Sequence, residues 1–117
     1  MAPLHEVARM IRSKNAGPFL VTIDVMFENE DDYQRVVTAE VITPEVVAPR
    51  YALTADDVRV INYAPALAIK ITMPRRPAGG PEDTDVAGGQ YFVGVLDLEV
   101  PVRPSAFMDL LGRARRT

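Results

Sequence analysis

Two apolar runs of alternating side chains constrain this chain more than any other feature. From Phe19 to Phe27 the odd positions are all apolar: Phe19, Val21, Ile23, Val25 and Phe27. Between Ala66 and Met73, Leu67, Ile69, Ile71 and Met73 alternate with Ala66, Ala68, Lys70 and Thr72. A period of two sends successive side chains to opposite faces of a strand. Both runs therefore predict half-buried strands with one apolar face. The opposite face of each carries a charge, Asp24 in the first and Lys70 in the second.

Helix signals surround these strands. Leu4, Val7, Ala8 and Ile11 fall at helical spacing and predict an N-terminal helix. Arg9, Arg12 and Lys14 suit its C-terminal end, and Asn15, Gly17 and Pro18 would stop it. Asn29 precedes Glu30, Asp31 and Asp32, a cap and an acidic first turn, with Tyr33, Val36 and Val37 on the apolar side. Thr43-Pro44-Glu45 starts a short helix reaching Tyr51, and Thr54 to Asp57 reads as one more capped turn. Val58 to Tyr63 is a strand joined to the Ala66–Met73 strand by a tight corner at Ala64-Pro65. Pro74 to Gln90 reads as a long loop, and Val93 to Val100 as a last strand. The resulting order, α-β-α-α-β-β-β, predicts an α+β two-layer sandwich. Its sheet of about four strands is mixed or antiparallel, with helices mainly on one face. Residues 1–103 form one domain in this reading, and residues 104–117 a basic tail that is helical from Ser105 to Arg116.

Composition narrows the function classes. The chain has no cysteine, which excludes disulfides, thiolate nucleophiles and zinc ribbons. The single histidine, His5, has no metal-binding partner motif. A formal charge of −3 argues against a nucleic-acid footprint. No apolar stretch approaches the roughly 20 residues of a membrane span, so a cytoplasmic location is expected. Charge is uneven: residues 1–58 hold 5 basic and 10 acidic groups, residues 59–117 hold 8 and 6.

Three polar clusters carry what chemistry there is. Arg12, Ser13, Lys14 and Asn15 combine two cations, a hydroxyl and an amide, donors suited to a carboxylate or phosphate. The plain alternative is a helix end with dipole-matched cations. Thr22, Asp24, Lys70, Thr72 and Asp97 would share one sheet surface if their strands are neighbours. An Asp24–Lys70 pair there would serve proton transfer or substrate holding, against the plain reading of cross-strand ion pairs. The third cluster, Gly79 to Gln90 with Asp83 and Asp85, lacks the P-loop lysine and the dinucleotide fingerprint. Two carboxylates fall short of the six or so oxygens a calcium site needs. No metal or cofactor is expected.

The blocks Ile11-Arg12-Ser13-Lys14-Asn15-Ala16-Gly17-Pro18-Phe19, Thr22-Ile23-Asp24, Ala66 to Arg75, and Asp83-Thr84-Asp85-Val86 through Gly88 and Gln90 closely resemble the DUF4387 family. The resemblance spans roughly Leu4 to Pro101. That family has no established function, and its members occur beside, or fused to, AtuA-like proteins of acyclic terpene utilisation. The resemblance implies a small accessory subunit of a larger AtuA-like catabolic enzyme, in a homo- or hetero-oligomer. It would bind an anionic acyl-CoA or carboxylate group, or complete the partner's site. Arg12, Ser13, Lys14, Asn15, Thr72, Arg75, Asp83, Asp85 and Gln90 are the ligand-binding candidates, and Asp24 and Lys70 the catalytic ones. The alternative is a small homo-oligomeric lyase or hydratase with an interface active site. One departure stands out: the family often reads Gln-Gln-His where this chain has Gln90-Tyr91-Phe92, which weakens the case for autonomous catalysis.

Overall fold

The computed structural model describes residues 1–75 and 91–101. The Asp83, Asp85 and Gln90 candidates and the tail helix from Ser105 lie outside the described residues. The chain runs β1 (Ala2–Pro3), α1 (Leu4–Val7), β2 (Met10–Asn15), β3 (Leu20–Met26), α2 (Glu30–Thr38), α3 (Pro44–Val47), β4 (Arg59–Tyr63), β5 (Ala68–Pro74) and β6 (Glu99–Val100). Short 3₁₀ turns occupy Ala48–Tyr51, Ala55–Asp57, Ala64–Ala66 and Tyr91–Val95. The main sheet has the order β2-β3-β5-β4, every pair antiparallel. This is the expected α+β architecture, with the sheet wholly antiparallel.

The two alternating runs become the central strands. Val21, Ile23, Val25, Ile69, Ile71 and Met73 are at most 1% exposed and form the inner face. They share one core with Tyr33 and Val36 of α2, Val47 of α3, Val95, Leu98 and Val100. Full burial of each such side chain contributes about 1.5–3 kcal/mol, so this layer dominates the stability. The helix starts form where their caps predict. Asp32 N–H donates to Asn29 Oδ1 at 2.8 Å, and Val46 N–H to Thr43 Oγ1 at 3.2 Å. Thr54 N–H and its hydroxyl both reach the Asp57 carboxylate, at 3.0 and 2.9 Å. Those two bonds hold the Asp57 carboxyl below its ordinary pKa.

Two expected elements take another form. The N-terminal helix ends at Val7, and the segment expected to be its C-terminal half is strand β2. Tertiary pairing overrides helical spacing here, because β3 is the most apolar strand and needs a second neighbour. Met10 to Asn15 pair residue by residue with Met26 to Val21. Ala16 to Phe19 are therefore a hairpin loop, not a helix stop. Gly17 adopts φ +89° there, a conformation that favours glycine. The last expected strand, Val93 to Val100, begins inside the Tyr91–Val95 3₁₀ turn, and only Glu99–Val100 is a strand, paired to Ala2–Pro3. Its buried residues Val95, Leu98 and Val100 do not follow a period of two. Phe19, expected on the core face, lies in the hairpin loop and is 75% exposed.

Candidate functional site

The strand registers decide which polar side chains meet. On the outer sheet face, Arg12, Asp24, Lys70 and Ile61 form one cross-strand row. Lys14, Thr22, Thr72 and Arg59 form the next. Thr22, Asp24, Lys70 and Thr72 thus share a surface. Asp97, expected with them, instead pairs with Arg50, whose guanidinium also donates to the Gly94 carbonyl at 3.2 Å. The reason is that Asp97 follows the 3₁₀ turn at the sheet's other side and is in no strand of the sheet.

Asp24 and Lys70 are direct partners on adjacent strands. Asp24 Oδ2 lies 3.8 Å from Arg12 Nε, and among the described residues no ion pair joins it to Lys70. Arg12, Lys14, Arg59 and Lys70 are exposed. Four cations and one carboxylate thus occupy the two rows, on a chain whose formal charge is −3. Thr22 sits at their centre, only 7% exposed. Its Oγ1 is buried and has no hydrogen-bond partner among the described residues. Met10, Leu20, Ile61 and Tyr63 border the rows as exposed apolar side chains.

The Arg12-Ser13-Lys14-Asn15 motif is split by the strand's alternation. Arg12 and Lys14 face outward, while Ser13 and Asn15 face inward beside the Tyr91–Val95 turn. Phe92 N–H donates to Ser13 Oγ at 3.0 Å. Arg75, 7% exposed, donates to Asn15 Oδ1. Its guanidinium lies 5.7 Å from the centre of the Tyr91 ring, an attractive cation–π placement. Tyr91 stacks on Tyr51 at 6.2 Å and 9°, and the Tyr51 hydroxyl donates to the Tyr91 carbonyl. Burial pushes the Tyr51 phenol above its ordinary pKa, so it stays a donor. Ser13, Asn15 and Arg75 therefore serve a different corner of the molecule from Arg12, Lys14 and Thr72. The inner corner is filled by aromatic rings.

Arg59 and Tyr51 were not singled out from the sequence. A signal for Arg59 existed: the tight corner at Ala64-Pro65 brings Arg59 opposite Thr72. No sequence pattern announces the Tyr51–Tyr91 stack, which joins residues 40 positions apart. An open groove lined by Asp31, Gln34, Arg35, Thr38, Ala39 and Pro101 runs beside α2, and none of the sequence candidates lines it. Among the described residues no cluster of three or more acidic or histidine side chains is placed to hold a metal. No described helix is long and apolar enough to cross a membrane.

Fold and site together define a small α+β protein with a helical layer on one sheet face and an exposed cation-rich row pair on the other. The chain belongs to the DUF4387 family, a domain of unknown function, whose family model matches residues 4–99. No curated protein and no solved structure matches it. Where a histidine was expected in relatives, Phe92 is half-buried and contributes its backbone N–H to Ser13.

Proposed function

We propose that this chain is a small cytoplasmic accessory subunit that docks on a larger AtuA-like catabolic enzyme. There it holds an anionic acyl-CoA or carboxylate group of the substrate, or completes the partner's site. The observation that carries this reading is the outer sheet face. Among the described residues of the two rows, Arg12, Lys14, Lys70 and Arg59 stand against Asp24 alone, on a protein that is acidic overall. Such a patch attracts anions against the chain's own net charge. The apolar border of Met10, Leu20, Ile61 and Tyr63 suits a protein contact around a polar centre. An open face also lacks the water-excluded surroundings that make electrostatic catalysis effective, which favours holding over turnover. The AtuA-like identity of the partner rests on the family resemblance.

The test is co-purification of a tagged copy from its native cell during catabolic growth. Recovery of a larger AtuA-like protein, lost in a Lys70→Glu/Arg59→Glu variant, is the expected result. Recovery of this chain alone under mild conditions overturns the reading. The adjacency of Asp24 and Lys70 supports a second reading, a homo-oligomeric lyase or hydratase completed by another copy. That reading requires an oligomer in solution and turnover that Asp24→Asn abolishes.

A further inference from the structure

We propose that the free edge of β4 pairs with the β4 edge of a second copy of this chain, joining two sheets into one across a two-fold axis at Ile61. The inference goes beyond the accessory reading and does not rest on the anion-holding face. The ladder fixes which backbone groups the edge presents. Phe27 N–H donates to the Leu67 carbonyl at 2.9 Å, and Arg75 N–H to the Phe19 carbonyl at 2.8 Å. Both ends of β5 thus turn the N–H and C=O of odd-numbered residues toward β3. Along a strand these directions alternate, so Ala68, Lys70 and Thr72 bond to their register partners Tyr63, Ile61 and Arg59 on β4. Val60 and Asn62, between them, aim their N–H and C=O at the open edge. Among the described residues no turn, loop or cap hydrogen bond reaches either.

The two edges of the sheet differ. β2 is flanked by the Tyr91–Val95 turn, where Phe92 N–H donates to Ser13, and it carries Arg12 and Lys14, charges of the kind that block edge pairing. β4 has neither a proline nor an inward charge, and Ile61 and Tyr63 stand 47% and 57% exposed. A second copy fits this edge because the strand is complementary to itself. With Ile61 opposite the second copy's Ile61, Val60 of each chain faces Asn62 of the other. Each such pair exchanges two N–H···O=C bonds, so the edge groups of both chains are satisfied. On the outer face, Arg59 of each copy stands opposite Tyr63 of the other in a non-hydrogen-bonded pair, where side chains approach most closely. A guanidinium against a phenol ring is an attractive pairing. The two Arg59 cations are four residues apart along the ladder, about 14 Å, beyond the screening length of about 8 Å.

The test is sedimentation velocity of the full chain over a concentration series, with amide hydrogen exchange on the same samples. A reversible dimer is expected. In it the Val60 and Asn62 amides gain protection as concentration rises, while the Ile61 amide, already bonded to β5, keeps its rate. Ile61→Lys sets like charges face to face and removes an apolar pair, raising the dissociation constant at least about tenfold. Ile61→Glu does the same. Mixed together, the two variants bring opposite charges to the axis and associate more tightly than either does alone. Ile61 is exposed, so both keep the parent's circular dichroism spectrum. Arg59→Gln removes two cation–π pairs and weakens the dimer about tenfold. A monomer throughout the series, a dimer whose Val60 and Asn62 amides stay unprotected, or variants that fail to pair on mixing overturn the edge pairing. An AtuA-like protein recovered with a chain that is monomeric once purified upholds the accessory reading and overturns this one. A dimer with protected Val60 and Asn62 amides and no AtuA-like protein recovered does the reverse.

Discussion

Replacing Gly94 by alanine tests how the inner corner is built. An ideal Cβ on Gly94 would lie 2.6 Å from both Cζ and the hydroxyl oxygen of Tyr51, and 3.0 Å from Cε1. Those separations are too short for real contacts, so the ring must shift. It is not free to do so, because one face stacks on Tyr91 and its hydroxyl donates to the Tyr91 carbonyl. Losing the hydrogen bond costs about 1 kcal/mol, and losing the stack about 0.5–1.5 kcal/mol. Reduced backbone freedom in the unfolded chain returns about 0.4–1 kcal/mol. The net destabilisation is then about 0.5–2 kcal/mol. For a domain of this size that lowers Tm by roughly 2–8 °C, read by thermal denaturation under circular dichroism. The same substitution in a Tyr51→Ala background meets no ring, so its cost there falls to about zero, and the double-mutant cycle isolates the contact. An unchanged Tm for Gly94→Ala, or an equal loss in both backgrounds, refutes the reasoning.

Further expectations follow from the same structure. The folded pKa of Tyr51 is raised above its ordinary value near 10, so the folded state retains the proton that the unfolded chain loses. Its contribution to stability is complete below about pH 10 and falls as pH rises above that. Alkaline denaturation midpoints of parent and Tyr51→Phe check this, the variant losing stability less steeply. Thr22→Val replaces an unpartnered hydroxyl with a methyl group and raises stability by about 1 kcal/mol, measured by urea denaturation. A loss of similar size would mean that the hydroxyl has a stabilising partner. Ala52 holds φ +55° after the Ala48–Tyr51 turn, and Ala52→Gly gains about 0.5–1 kcal/mol by relieving it. Asn29→Ala removes the cap of α2 and loses about 1 kcal/mol; denaturation midpoints check both.

Much of the fold was legible because local rules and tertiary packing agree. Asn29, Thr43 and Thr54 act as caps within three residues of their hydrogen-bond partners, and such contacts need no knowledge of the rest of the chain. The hairpin of β4 and β5 is equally local. Met10 to Asn15 resisted the same treatment. Their helical spacing with Leu4 and Val7 is real, but six residues of pairing with β3 outweigh it. The Tyr91–Val95 turn escaped because it is shaped by Tyr51, far away in sequence.

By itself, the sequence determined the two central strands, their apolar inner face and the charges Asp24 and Lys70 on the outer one. Alternation with a period of two is a property of each strand alone. Only the tertiary structure decided that these strands are neighbours and that Arg12 and Lys14 join them while Ser13 and Asn15 turn inward. The physical reason is register: pairing fixes which residues stand opposite one another, and a shift of one residue would reverse every face. The polar motif thus serves two surfaces, and the outer one gathers cations from β2, β4 and β5 around the threonines of the central pair.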